Sequence, residues 1–168
     1  PQLILVNGKP GSGKTTVSDA LREKLQPCAW IDTDHLMRVR PWKPGEETFS
    51  IALQNGISVA KNFLQHGYST IVLTGCVHSA THVGQILKEF GADQYTLTYV
   101  LLHAQEENRK ERKRLQAEQR GQKAFRFDVL DAQDLAASDV KPMRYVSIET
   151  TQVSIDDIVR TIFEKLHS

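Results

Sequence analysis

Residues 8–15 read Gly-Lys-Pro-Gly-Ser-Gly-Lys-Thr. Gly8, Gly13, Lys14 and Thr15 meet the spacing G-x-x-x-x-G-K-[S/T], a glycine-rich loop that wraps a row of phosphates. The roles divide by residue. Gly8, Gly11 and Gly13 permit torsions closed to other residues, so successive N–H groups converge on phosphate oxygens, with Pro10 and Ser12 inside the same nucleotide-binding loop. Lys14 is expected to reach the β- and γ-phosphates, Thr15 to offer its hydroxyl to Mg²⁺, and Thr16 to touch the α-phosphate. A second constellation follows at Ile31-Asp32-Thr33-Asp34-His35-Leu36. One carboxylate there can accept a proton from a hydroxyl attacking the γ-phosphate, and the other can hold Mg²⁺ through water. The same residues also read as a polar turn with Asp34 as a helix N-cap, and spacing alone leaves both readings open.

These groups need elements to position them. Gln2–Asn7 is a short apolar run ending at a glycine, the pattern of a strand buried on both faces. Residues 14–26 carry Val17, Ala20, Leu21 and Leu25 at helical spacing and stop at Pro27. Cys28–Asp32 reads as a second strand, 36–50 mostly as loop, and 50–65 as a helix. Further strands are expected at Ser69–Cys76, Tyr95–His103 and Tyr145–Glu149. Further helices are expected at 79–90, 105–120, 128–138 and Ser154–Lys165, the last with Ser154 and Asp157 as a capping box. Strand and helix alternate along all 168 residues, which predicts one α/β domain, 1–168: a five-stranded parallel sheet flanked by helices in three layers. The cradle and the acid pair then fall at the carboxyl ends of neighbouring strands, where such sheets bind ligands.

Gly-Lys-Pro-Gly-Ser-Gly-Lys-Thr-Thr followed by Ile-Asp-Thr-Asp-His-Leu resembles the small metabolite kinases of the P-loop superfamily, such as shikimate, gluconate and adenylylsulfate kinases and chloramphenicol phosphotransferase. The resemblance implies a P-loop NTPase fold, ATP and Mg²⁺ as co-substrate and cofactor, and phosphoryl transfer to a hydroxyl of a small molecule. It assigns Asp34 as the base and Asp32 as its Mg²⁺-side partner. It also implies a lid after the fourth strand, here the charged stretch 105–125. Arg112 is the best match to the lid arginine that neutralises the migrating phosphoryl, followed by Arg109 and Arg120. The loop after the fifth strand would lie against the adenine, making Thr150 and Thr151 candidates for base contact. The sequence departs from many relatives in one respect. Its third strand ends Val72-Leu73-Thr74-Gly75-Cys76, without an acid, so Mg²⁺ falls to Thr15, Asp32 and water. An Asn-Lys-x-Asp guanine signature is also missing, and both absences favour a metabolite kinase over a motor-type ATPase or GTPase.

On the acceptor side, Arg38, Arg40 and Lys43 suit an acceptor bearing carboxylate or phosphate, and an exposed basic loop with Trp42 as a clasp explains them equally well. His78 and His82 follow the third strand without a His-Glu-x-x-His pattern, so acceptor contact, through His78 first, is expected over metal binding. Lys plus Arg is 21 and Asp plus Glu is 20, a balance that gives no bulk attraction to nucleic acid or anionic membrane. The basic helix lacks aromatic residues for base stacking. A nucleotide or polynucleotide 5′-hydroxyl kinase is therefore the second reading, and a non-catalytic NTP-binding module the third. No apolar stretch reaches a membrane span. Two distant cysteines, Cys28 and Cys76, suggest a reducing, cytoplasmic setting, and a monomer or dimer is expected.

Overall fold

The computed structural model describes residues 1–43, 45–75, 77–121 and 134–168. Its strands are β1 (Gln2–Asn7), β2 (Cys28–Asp32), β3 (Thr70–Thr74), β4 (Thr96–His103) and β5 (Arg144–Glu149). They form one parallel sheet in the order β2-β3-β1-β4-β5. The helices are α1 (Lys14–Lys24), α2 (Glu46–Gln65), α3 (Ala80–Phe90), α4 (Glu106–Gln119) and α5 (Ile155–His167). The three-layer α/β P-loop fold expected from the sequence is thus present.

The apolar run of β1 has to serve two cores. Side chains alternate across a strand, so Leu3 and Leu5 join the layer of α2 and α3, while Ile4 and Val6 join that of α1 and α5. All four are fully buried, which is why this central strand carries no polar residue between Gln2 and Asn7. α5 contributes Ile158, Val159, Ile162 and Leu166 to the second core. Each such side chain stabilises the fold by roughly 1.5–3 kcal/mol on burial. Ser154 starts α5 as expected: its Oγ accepts from Asp157 N at 3.1 Å and donates to Asp157 Oδ2 at 2.7 Å. α4 stands apart. Only Arg109 and Ala117 are buried along it, so it belongs to neither core.

Two expected boundaries differ. α2 begins at Glu46 rather than near 50, because Glu46 and Glu47 sit in the first turn, where the helix dipole favours acids. Of the helix expected at 128–138, residues 128–133 lie outside the described residues, and 134–138 form coil and turn. There Asp139 Oδ2 accepts from Ala136 N at 2.7 Å and Asp139 N donates to Ala136 O at 3.0 Å. A short acid competes with the helix for its own backbone.

Candidate active site

β1 delivers the chain into the cradle at Gly8. A Cβ on Gly8 would lie 2.0 Å from Leu102 O, and one on Gly11 would lie 2.5 Å from Arg109 O, so the loop is pressed between β4 and α4. Gly11 also has φ +83, a left-handed conformation that favours glycine. Ser12 N donates to Lys9 O at 3.1 Å, closing a turn. α1 starts at Lys14 without a side-chain cap. Its first N–H groups therefore face the cradle as a ready anion site. Lys14 Nζ donates to Gly8 O at 2.8 Å and Lys9 O at 3.3 Å. Burial lowers its pKa to about 8; Asp34, Asp32 and Asp134 oppose that shift, while Lys113 adds to it.

The acid pair is held by a residue between its members. Thr33 is buried, and its Oγ1 donates to Thr74 O at 2.8 Å, pinning the 3-10 turn Thr33–His35 to the end of β3. Asp32 is the cap of that turn: its Oδ1 accepts from Asp34 N at 3.0 Å. Asp34 is therefore not the capping residue. Its carboxylate is exposed and makes no hydrogen bond among the described residues. Thr15 Oγ1 donates to Asp32 Oδ2 at 3.4 Å. Thr74 stands where an acid was missing. Its buried hydroxyl accepts from Trp30 Nε1 at 2.8 Å and donates to Ser18 Oγ at 2.8 Å, so it ties β2, β3 and α1 together.

The turn after β3 adds two histidines. His78 N donates to His82 Nδ1 at 3.2 Å, and the buried His82 places Nε2 3.0 Å from Glu46 Oε1. An Nδ1 that accepts puts the neutral ring's proton on Nε2. Ser79 Oγ caps α3 through His82 N at 3.3 Å and donates to Glu46 Oε1 at 3.2 Å. These bonds fasten the start of α2 to the start of α3. The His78 ring packs on Phe49 at 5.1 Å. Burial, then Lys14 and His82, lower its pKa to about 4 against the pull of Asp34 and Glu46, so it is neutral at pH 7. The shared influences place His78, Lys14 and Asp34 in one neighbourhood. No group of three or more His, Cys, Asp or Glu able to hold a metal occurs among the described residues.

The charged helix α4 divides by face. Lys110 pairs with Glu106, and Arg114 pairs with Glu118 and, at 2.7 Å, with Glu111, the solvated pattern of i,i+3 and i,i+4 ion pairs. The other face lies along the cradle. Arg109 Nη1 donates to Pro10 O at 3.2 Å and Arg112 Nη1 to Gly11 O at 3.2 Å. Arg112 Nη2 donates to Thr150 O at 2.6 Å and Thr151 O at 3.3 Å. Thr151 Oγ1 accepts from Gln105 N at 3.0 Å. Arg120 ends the helix. The lid candidate's residues 122–125 lie outside the described residues.

Lys113 and Asp134 were not singled out by the sequence. Lys113 is lowered in pKa by burial while the charges of Asp34 and Asp32 pull it up. Its one available signal was the four-residue spacing from Arg109. Asp134 acts on Lys14 from far along the chain, with no local pattern to announce it. Arg38 and Arg40 are both exposed in the loop before α2, beside Val39 at 49% and Trp42 at 43% exposure.

Residues 4–135 match the family model described as an AAA domain. No curated protein matches the chain in sequence. Several solved structures share its shape. An APS kinase from Mycobacterium tuberculosis, solved with AMPPNP and APS, is 19% identical with a TM-score of 0.73, covering 99% of this chain and 98% of that one. A gluconokinase from Sinorhizobium meliloti 1021 is 17% identical with a TM-score of 0.67, over 99% of this chain and 92% of that one. The tunicamycin resistance protein of Deinococcus radiodurans is 15% identical with a TM-score of 0.62, over 98% and 95%. The chain belongs to the AAA domain family and has the fold of the P-loop kinases.

Proposed function

We propose that this protein is an ATP- and Mg²⁺-dependent kinase that transfers the γ-phosphoryl group to a hydroxyl of a small molecule. The observation that carries the reading is the convergence of Lys14, Asp32 and Asp34 at one end of the sheet, with Asp34 left exposed beside the cradle. The acceptor oxygen attacks the γ-phosphorus, the bond to the β,γ-bridging oxygen breaks, and ADP leaves with that electron pair. Asp34 aligns the acceptor hydroxyl and takes its proton, later released to water. Lys14 and Lys113 neutralise charge on the transferring group, and neutral His78 offers the acceptor a hydrogen bond without adding charge.

Thr15 and Asp32 present adjacent hard oxygen donors, which fits Mg²⁺ held mainly through water and phosphate. When bound, Mg²⁺ offsets the charge of the β- and γ-phosphates. The APS kinase and gluconokinase likenesses support a phosphotransferase of this general kind. The pairing of Lys110 and Arg114 with glutamates supports a small acceptor over a polynucleotide, because it removes the cationic track a nucleic acid would follow. Free Cys28 accords with the proposed cytoplasmic setting, and no described helix is long and apolar enough to cross a membrane.

A screen of sugars, sugar acids, nucleosides and hydroxyl-bearing antibiotics for ATP-dependent phosphorylation tests the proposal. Formation of ADP and a phosphomonoester in equal amounts is expected with at least one class. ADP release that no acceptor stimulates would contradict it.

A further inference from the structure

Three consecutive carbonyls of the cradle are hydrogen-bonded from outside it. Pro10 O accepts from Arg109 Nη1 at 3.2 Å, Gly11 O from Arg112 Nη1 at 3.2 Å, and Ser12 O from Thr150 Oγ1 at 2.9 Å. In a planar trans peptide the C=O and the following N–H point in opposite directions. Fixing these carbonyls outward therefore turns the N–H groups of Gly11, Ser12 and Gly13 inward. Ser12 N turns into the loop but is taken by Lys9 O at 3.1 Å, so it is the N–H groups of Gly11 and Gly13 that the brace presents to the diphosphate.

The brace is itself anchored. Thr150 is 2% exposed, and its N donates to His103 O at 2.8 Å at the end of β4. Arg112 also donates from Nη1 to Thr150 Oγ1 at 3.3 Å and from Nη2 to Thr150 O and Thr151 O. Arg109 is 7% exposed, and its backbone lies so near Gly11 that a Cβ there would collide with it.

We infer that Arg109, Arg112 and Thr150 are positioning residues whose hydrogen bonds aim the cradle's N–H groups at the diphosphate part of the nucleotide. The guanidinium of Arg112, expected from the sequence to meet the migrating phosphoryl group, has this other task. The inference rests on the nucleotide-binding reading proposed above. Because the diphosphate is common to ATP and ADP, loss of the brace weakens both alike. Loss of a cation that touches only the γ-phosphoryl would instead lower turnover and spare ADP.

The test measures ADP and ATP affinity by calorimetry, with turnover at saturating ATP, for wild type, Thr150→Val, Thr150→Ser and Arg112→Lys. Thr150→Val should weaken both nucleotides equally, by on the order of 10-fold, the scale of one lost hydrogen bond. Thr150→Ser, which keeps the hydroxyl, should restore affinity. Arg112→Lys should fail to rescue, because one ammonium lacks the planar fork that reaches several carbonyls. Amide NMR shifts at Gly11, Ser12 and Gly13 should move in Thr150→Val and return in Thr150→Ser. Undiminished ADP affinity in both Thr150→Val and Arg112→Lys overturns the inference. So does an Arg112→Lys variant that loses turnover alone. A wild-type protein that binds no ADP overturns the nucleotide reading instead.

Discussion

The two sides of this crevice are built differently. On the donor side, the cradle is enclosed by β4, α4 and the loop after β5, and its carbonyls are bonded to Arg109, Arg112 and Thr150. On the acceptor side, Asp34 is exposed, and the loop carrying Arg38, Arg40 and Trp42 projects into solvent. Phosphates are the same in every nucleotide, so a fixed nest of N–H groups serves them all. An acceptor must be admitted, oriented and released, which suits groups with few prior bonds. On the proposed reading, the donor side is held through the backbone and the acceptor side is left to side chains.

Substitutions on the two sides should break different things. The largest effect is expected for Lys14→Met, which removes the cation at the centre of the cradle; turnover should fall on the order of 10²–10³-fold, measured by coupled ADP release. Gly11→Ala comes next. Its left-handed φ and the contact 2.5 Å from Arg109 O should destabilise the fold by about 2–5 kcal/mol, read as a lowered thermal midpoint together with lost ADP binding. Thr33→Val strips the buried hydroxyl that pins the acid pair to Thr74 O. A loss of about 1–3 kcal/mol in denaturant unfolding is expected, with reduced turnover but near-normal ADP affinity.

A pH series sharpens the same contrast. The Lys14 pKa lies near 8 in the free protein, and phosphate favours the ammonium form, so binding takes up a proton above that value. ADP affinity should fall by up to tenfold per unit above pH 8. His78, neutral down to about pH 4, should leave no step between pH 5 and 8. The smallest effect belongs to Trp42→Ala. Stability should change by no more than about 0.5 kcal/mol, and any kinetic change should appear in the acceptor KM alone.

The donor side was largely legible in the sequence and the acceptor side much less so. The cradle is contiguous, and its glycines, lysine and threonine each have a reason that spacing displays. The strand-helix alternation was readable because β1 is apolar on both faces and α5 on one. The brace was hidden because its acceptors are backbone carbonyls, which leave no residue signature, and because Thr150 lies 38 positions from Arg112. The sequence names α4's cations but not which face they take. The fold sends Arg109 and Arg112 to the loop and puts Lys113 under the influence of the Asp34 and Asp32 charges. Asp134 itself lies in coil, so no periodicity marked it.

The proposed role of Asp34 is to act on the acceptor and not on the nucleotide. The direct measurement is phosphoryl transfer from ATP to an acceptor found by screening, followed by phosphorus NMR for wild type and Asp34→Asn, with ADP affinity measured on both proteins. A phosphomonoester product is expected, with its formation slowed on the order of 10²-fold or more in Asp34→Asn and ADP affinity unchanged. Equal transfer rates in the two proteins, at equal ADP affinity, would contradict it.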